Sequence, residues 1–364
     1  MTGGLRLLVF LAGAVVVAAT FGSSLRTVML PRGIPSRLTR SVFITVRQLF
    51  RLRAGPGATF EKRDRVMAVY APFSLLVLLS VWLALVLAGY TAMFLGAAPR
   101  SLREAFLLSG SSLLTLGFTR PADLPSSLLA FSEAGLGLAL FALLITFLPT
   151  IYAAFSRREA AVNALEVRAG SPPSGVEMIL RFSRLGRVQL LTEEVWVRWE
   201  DWFGDVEESH TSFPALVFFR SPQPDHSWIT AAGAVLDAAS LMASVVATER
   251  DVQAELTVRA GYIALRRICD VFRIPYDPEP RSGDPIGLDR SEFDEACARL
   301  AAGGVPLRPD LDRAWRDFRG WRVNYDQVLI ALAGLTMAPY APWSSDRSLR
   351  RYKSLLTGSQ RGGA

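Results

Sequence analysis

The sequence predicts an all-α membrane protein with three spans, a half-length helix between the second and third, and a mainly helical domain after the last. Three observations predict it. Residues 66–99 and 134–156 carry no charge, and each exceeds the ~20 apolar residues that cross a ~30 Å hydrocarbon core. Between them, residues 101–112 carry a helix start signal. After residue 156, charges return at ordinary density, with Trp, Phe and Leu at helical intervals. At 364 residues, 51% hydrophobic with mean hydropathy +0.28, the chain has room for two or three domains and places part of itself in lipid.

Residues 1–25 form the first expected span, an uncharged run from Leu7 to Leu25 preceded by Arg6. Small residues around Ala18-Ala19-Thr20 also fit a signal peptide. Residues 26–65 decide between these readings, holding ten basic side chains against Glu61 and Asp64. The positive-inside bias places such a loop in the cytoplasm, which favours an uncleaved anchor with its N-terminus outside. Within the loop, Val42, Phe43, Val46, Leu49 and Phe50 recur at helical spacing beside Arg40, Arg47, Arg51 and Arg53. The pattern predicts an amphipathic helix at the inner membrane surface, among anionic headgroups, or else packed on the cytoplasmic domain. Ala54-Gly55-Pro56-Gly57 ends it.

Residues 66–158 follow as one domain, with spans over about 68–95 and 126–155. Ser101-Leu102-Arg103-Glu104 has the capping-box pattern, so a helix starts at 102. Ending at Ser112, it is about 16 Å long, half a bilayer, and brings its negative C-terminal pole to the membrane interior. Thr115 to Thr119 then continues as extended chain. Irregular backbone at that depth is tolerated only against protein or a water-filled cavity. A ring of such helix ends favours a cation on the shared axis.

Thr115-Leu116-Gly117-Phe118, with the helix before it and the span after it, resembles the pore domain of the potassium channel family over residues 66–158. The resemblance implies two spans and a pore loop per chain, four subunits around one pore, and a permeating monovalent cation, K+. It also implies a selectivity filter of Thr115, Leu116, Gly117, Phe118 and Thr119, where the family has Thr-Val-Gly-Tyr-Gly. Two positions depart from the pattern. Thr119 replaces the second glycine, and Arg120 stands where an aspartate is usual. A β-branched residue is a steric outlier in the left-handed region that alternate filter residues adopt, so the outer end of the filter must differ. Arg120 puts positive charge at the mouth, with Asp123 and Glu133 as candidate counter-charges. Glu133, the one acid in the last span, is a functional candidate by its depth, as a hydrogen-bond brace behind the filter to Ser111, Ser112 or Arg120, or as a shallow interfacial residue. Gly135, Gly137 and Pro149 are candidate gating hinges, with the gating contribution at Pro149 and packing at the glycines.

Residues 159–357 read as a helical cytoplasmic domain and 358–364 as a disordered tail. Helices are expected over 157–168, 173–185, 191–207, 227–248, 252–273, 290–301, 310–337 and 345–356, with a short strand at 213–219 and a proline-rich loop over 274–289. Trp196, Trp199, Trp202 and Phe203 form an aromatic stripe suited to the domain core or to a contact with another subunit. The apolar stretch 231–247 contains Asp237 and is read as a buried helix rather than a fourth span. Cys269 and Cys297 imply no disulfide framework. His210 and His226 lie near Glu207, Glu208 and Asp225, without diagnostic metal spacing. No phosphate-binding glycine motif and no catalytic constellation is present, so neither an enzyme nor a cofactor or metal is expected. The net charge of +7 sits largely in the juxtamembrane loop, and nucleic acid is not expected as a partner. The sequence thus reads as a homotetrameric, multi-pass cation channel subunit of the plasma membrane, gated through its cytoplasmic domain. A non-conducting scaffold or sensor that keeps the channel fold is the alternative.

Overall fold

The computed structural model describes residues 2–28, 36–53, 60–186 and 191–347. The break at 54–57, most of the expected helix 345–356 and the tail 358–364 lie outside the described residues. Among those described, the regular elements are helical, apart from one isolated bridge pairing Val246 with Leu307. Three helices are long and apolar enough to cross a membrane: α1 (Gly3–Val28), the stretch Phe60–Ala97, and α6 (Leu124–Ala169). The chain forms two compact units, residues 1–153 and 154–364, with α6 contributing to both.

In the first unit, α4 (Tyr70–Ala97) is the central element. Leu75, Leu78, Leu79, Trp82, Val86, Tyr90 and Phe94 recur at three- and four-residue steps and are all buried. Glycines bring α1 against α4. A methyl group at Gly13 would lie 2.4 Å from the Gly89 carbonyl oxygen, and one at Gly96 would lie 2.6 Å from that of Arg6. Backbones approach this closely only where side chains are absent.

The basic segment forms α2 (Arg37–Arg53), which packs on α4 through buried Val42 and Val46. Phe43 and Phe50 meet the Tyr70 ring edge-on at 6.3 and 5.9 Å, and the Tyr70 hydroxyl donates to the Phe43 carbonyl at 3.1 Å. Leu49, expected on the packed face, is exposed. The hydroxyls of Ser23 and Ser36, 2.6 Å apart, and of Thr27 and Thr39, 2.8 Å apart, tie the end of α1 to the start of α2. The short α3 (Phe60–Ala68) precedes α4.

The second unit is built from the end of α6 with α7 (Gly175–Arg184), α8 (Val197–Ser212), α9 (Trp228–Ser244), α10 (Val252–Phe272), α11 (Arg290–Ala302), α12 (Leu311–Arg322) and α13 (Asp326–Thr336). A π-helical turn, Leu191–Trp196, leads into α8. Trp196, Trp199, Trp202 and Phe203 are buried in the core. Nearly every residue of α9 is buried. Its Asp237 takes a charge-assisted hydrogen bond from Arg322, which also donates to Asp326 at 3.0 Å, while the Tyr325 hydroxyl donates to Asp237 at 2.9 Å. Burial alone would lower Arg322, but the carboxylates of Asp237 and Asp326 outweigh it and hold the guanidinium charged. An apolar helix with one acid is therefore a core helix whose acid is matched from a distant helix.

Further expectations are corrected. The last span and the helix expected at 157–168 are one continuous helix, α6. Residues 213–219 form no strand: Pro214–Phe218 is a 3-10 helix, closed by Leu216 N–H donating to Phe213 at 2.8 Å and Phe219 N–H donating to Leu216 at 3.0 Å. Proline at its first turn pre-sets the helical φ. The expected helix 310–337 is two helices. Asn324 turns its side-chain amide onto the Gly320 carbonyl at 2.9 Å, capturing an acceptor at the end of α12.

Candidate pore segment

Helix α5 (Leu102–Leu113) follows α4 and begins with both halves of the capping box. Glu104 N–H donates to Ser101 Oγ at 3.2 Å, and Ser101 N–H donates to Glu104 Oε2 at 2.9 Å. At its other end, Thr115 N–H donates to the Ser112 carbonyl at 3.0 Å and Leu116 N–H to the Ser111 carbonyl at 2.8 Å. This is the double bond pattern of a Schellman turn, whose left-handed residue is ordinarily glycine. Here it is Thr115, at φ 55°, and Gly117 is left-handed as well, at φ 70°.

The segment therefore leaves α5 through a turn at residues 114–115 and carries left-handed backbone at Thr115 and Gly117, rather than running as uniformly extended chain. Ser111 causes the difference. Its carbonyl accepts from Leu116 and Gly117, and its hydroxyl accepts from Thr119 N–H at 3.1 Å. The alternation stops there: Thr119 has no positive φ.

Leu114, Leu116 and Phe118 are exposed, the last two at 61% and 60%. With Leu83, Leu87 and Phe106 they border an open apolar groove of about 320 Å³ between α4 and α5. A methyl group on Gly117 would meet nothing within 4 Å. Within one chain, the segment is held by its backbone and leaves its side chains outward.

The acids near the segment are engaged elsewhere. Asp123 forms an ion pair with Arg100 at 3.2 Å and accepts from Ser126 N–H at 2.7 Å. Arg120 is exposed and has no ion-pair partner among the described residues. Glu133 is fully buried, and its partner is none of the three proposed: the Ser109 hydroxyl lies 2.5 Å from Glu133 Oε1. Ser112 instead donates to the Leu108 carbonyl at 2.9 Å. Sequence reasoning missed Ser109 and Arg100. Ser109 lies one turn beyond Ala105 on the buried face of α5, a signal available from helical periodicity.

Of the hinge candidates, Gly137 lies where a methyl group would come 2.4 Å from the Leu113 carbonyl oxygen, so the end of α5 rests directly on α6. Gly135 faces open space. Pro149 lies inside an uninterrupted helix. Among the described residues, no group of three metal-ligating side chains occurs. Comparison with family models, with curated proteins and with solved structures returned no match.

Proposed function

We propose that the chain is a subunit of a potassium-channel-like cation channel, in which four copies surround one pore lined by Thr115 to Thr119. The supporting observation is the capped half-length helix α5 between two long apolar helices, ended by a turn with left-handed backbone at Thr115 and Gly117. A β-branched residue in that region is strained, and such strain collects at functional sites. The negative pole of α5 favours a cation beside its C-terminal end. Exposed Leu116 and Phe118 then pack against the neighbouring copy, and the carbonyls of the segment replace the ion's hydration shell.

In this reading the basic α2 and residues 154–364 lie in the cytoplasm of a plasma-membrane protein, by the charge bias of the loop. The arginines of α2 meet anionic headgroups, and the C-terminal unit gates the pore without enzymatic activity, cofactor or nucleic acid. Pro149 is the gating bend. Gly137 serves packing.

The second reading is a silent pore, a scaffold or sensor with the channel fold. Exposed Arg120 with its candidate counter-charges committed elsewhere favours it. Cation flux into liposomes holding the purified protein separates the two. Flux through the unmodified protein is expected. Flux that appears only in the Thr119→Gly/Arg120→Asp variant supports the silent pore, and its absence from both, with assembled oligomers intact, contradicts conduction.

A further inference from the structure

We infer that Glu133 is a resident proton site, a neutral carboxylic acid at neutral pH, and that its proton fastens α4, α5 and α6 to one another. The Ser109 hydroxyl lies 2.5 Å from Glu133 Oε1 and 3.1 Å from the Leu87 carbonyl oxygen. A serine hydroxyl has one hydrogen to give, a carbonyl oxygen has none, and an ionised carboxylate has none. With Glu133 ionised, Ser109 would face two acceptors with a single hydrogen, and one contact would set lone pair against lone pair. With Glu133 protonated, both contacts are made: the acid donates to Ser109 Oγ, and Ser109 donates to the Leu87 carbonyl. The chain of bonds runs from α6 through α5 to α4.

The surroundings agree. Glu133 has no exposed surface, and its Oε2 has no hydrogen-bond partner, a poor setting for a carboxylate, since burying an unpaired charge costs far more than burying a neutral acid. Among the described residues, no cation forms an ion pair with it. On α4 the Tyr90 hydroxyl is bonded to Ser132, the residue before Glu133, at 2.9 Å, and α4 contains no Asp, Glu, Lys or Arg. From α5 the charged residues are Arg103 and Glu104, both exposed in the first turn, with Glu104 held in the cap. On its own helix no other charge occurs before Arg157, and Asp123, just ahead, is taken by Arg100.

Infrared spectroscopy of the full-length protein in lipid tests this, whether or not the pore conducts. The unmodified protein at neutral pH is expected to show a protonated-carboxyl carbonyl band that Glu133→Gln removes without loss of carboxylate absorption. Ser109→Ala is expected to shift that band to higher frequency, because the acid loses its acceptor. Loss of carboxylate absorption in Glu133→Gln overturns the inference, as does an unshifted band in Ser109→Ala. A Glu133→Gln protein that fails to fold also counts against it, because a neutral amide replaces a neutral acid without introducing charge.

Discussion

Thr115 holds a backbone conformation that its own side chain disfavours, and two hydrogen bonds to the end of α5 keep it there. Arg158 shows the same over-determination in the C-terminal unit. Its buried guanidinium donates to Glu159 at 2.8 Å, to the carbonyls of Leu216 at 3.0 Å and Phe219 at 2.8 Å, and to His210 Nε2 at 3.1 Å. A guanidinium only donates, so His210 must accept at Nε2 and carry its hydrogen on Nδ1, beside Ser209 Oγ at 3.1 Å. Burial, then the charge of Arg158, hold His210 well below the ordinary histidine range. The unfolded chain takes up that proton near pH 6.5, while the folded one does not. The stability that neutral His210 contributes is therefore present above that pH and is lost as pH falls, by up to about 1.4 kcal/mol per unit. Denaturant unfolding between pH 7 and 5 should show a shallower pH dependence in His210→Gln, which keeps an acceptor for Arg158. An unchanged slope contradicts this assignment.

At the scale of elements, the packing of α1 on α4 is set by glycines. Leucine at Gly13 forces its Cβ into the space of the Gly89 carbonyl, where the contact is with backbone and cannot rotate away. Gly13→Leu should destabilise the unit by roughly 1–3 kcal/mol, the usual cost of overpacking, read as a lower melting temperature in detergent. Leucine at Gly135, in open space, should leave it unchanged.

This contact was not legible in the sequence, because a glycine inside an apolar run looks the same whether it faces lipid, a hinge or another helix. Long helices were legible, since uncharged runs and the Ser101/Glu104 cap depend only on local pattern. Leucine-rich spans have no polar stripe to mark the packed face, so partners between helices remained hidden: Glu133 was singled out by its depth, but Ser109 was not, and Asp123 looked free for Arg120 until Arg100 reached it. The Phe213–Phe219 strand failed because aromatic and β-branched composition speaks for strands only where another strand is at hand.

On the scale of the whole molecule, the first unit leaves outward what a soluble chain would cover. Leu124, Leu128, Phe131, Leu138, Ile145 and Tyr152 are exposed along α6, and Leu116 and Phe118 project from the turn after α5. An apolar surface this long calls for lipid, further copies or both. In the proposed tetramer, the Thr115–Phe118 turns meet at the centre and lipid covers the rest, while the C-terminal unit keeps its own closed core. Electron cryomicroscopy of the protein reconstituted in lipid tests this arrangement most directly. Four copies with Gly117 ringing a common axis and ion density between them is the expected result. A single chain in the bilayer, or an assembly whose Gly117 lies away from any symmetry axis, contradicts it.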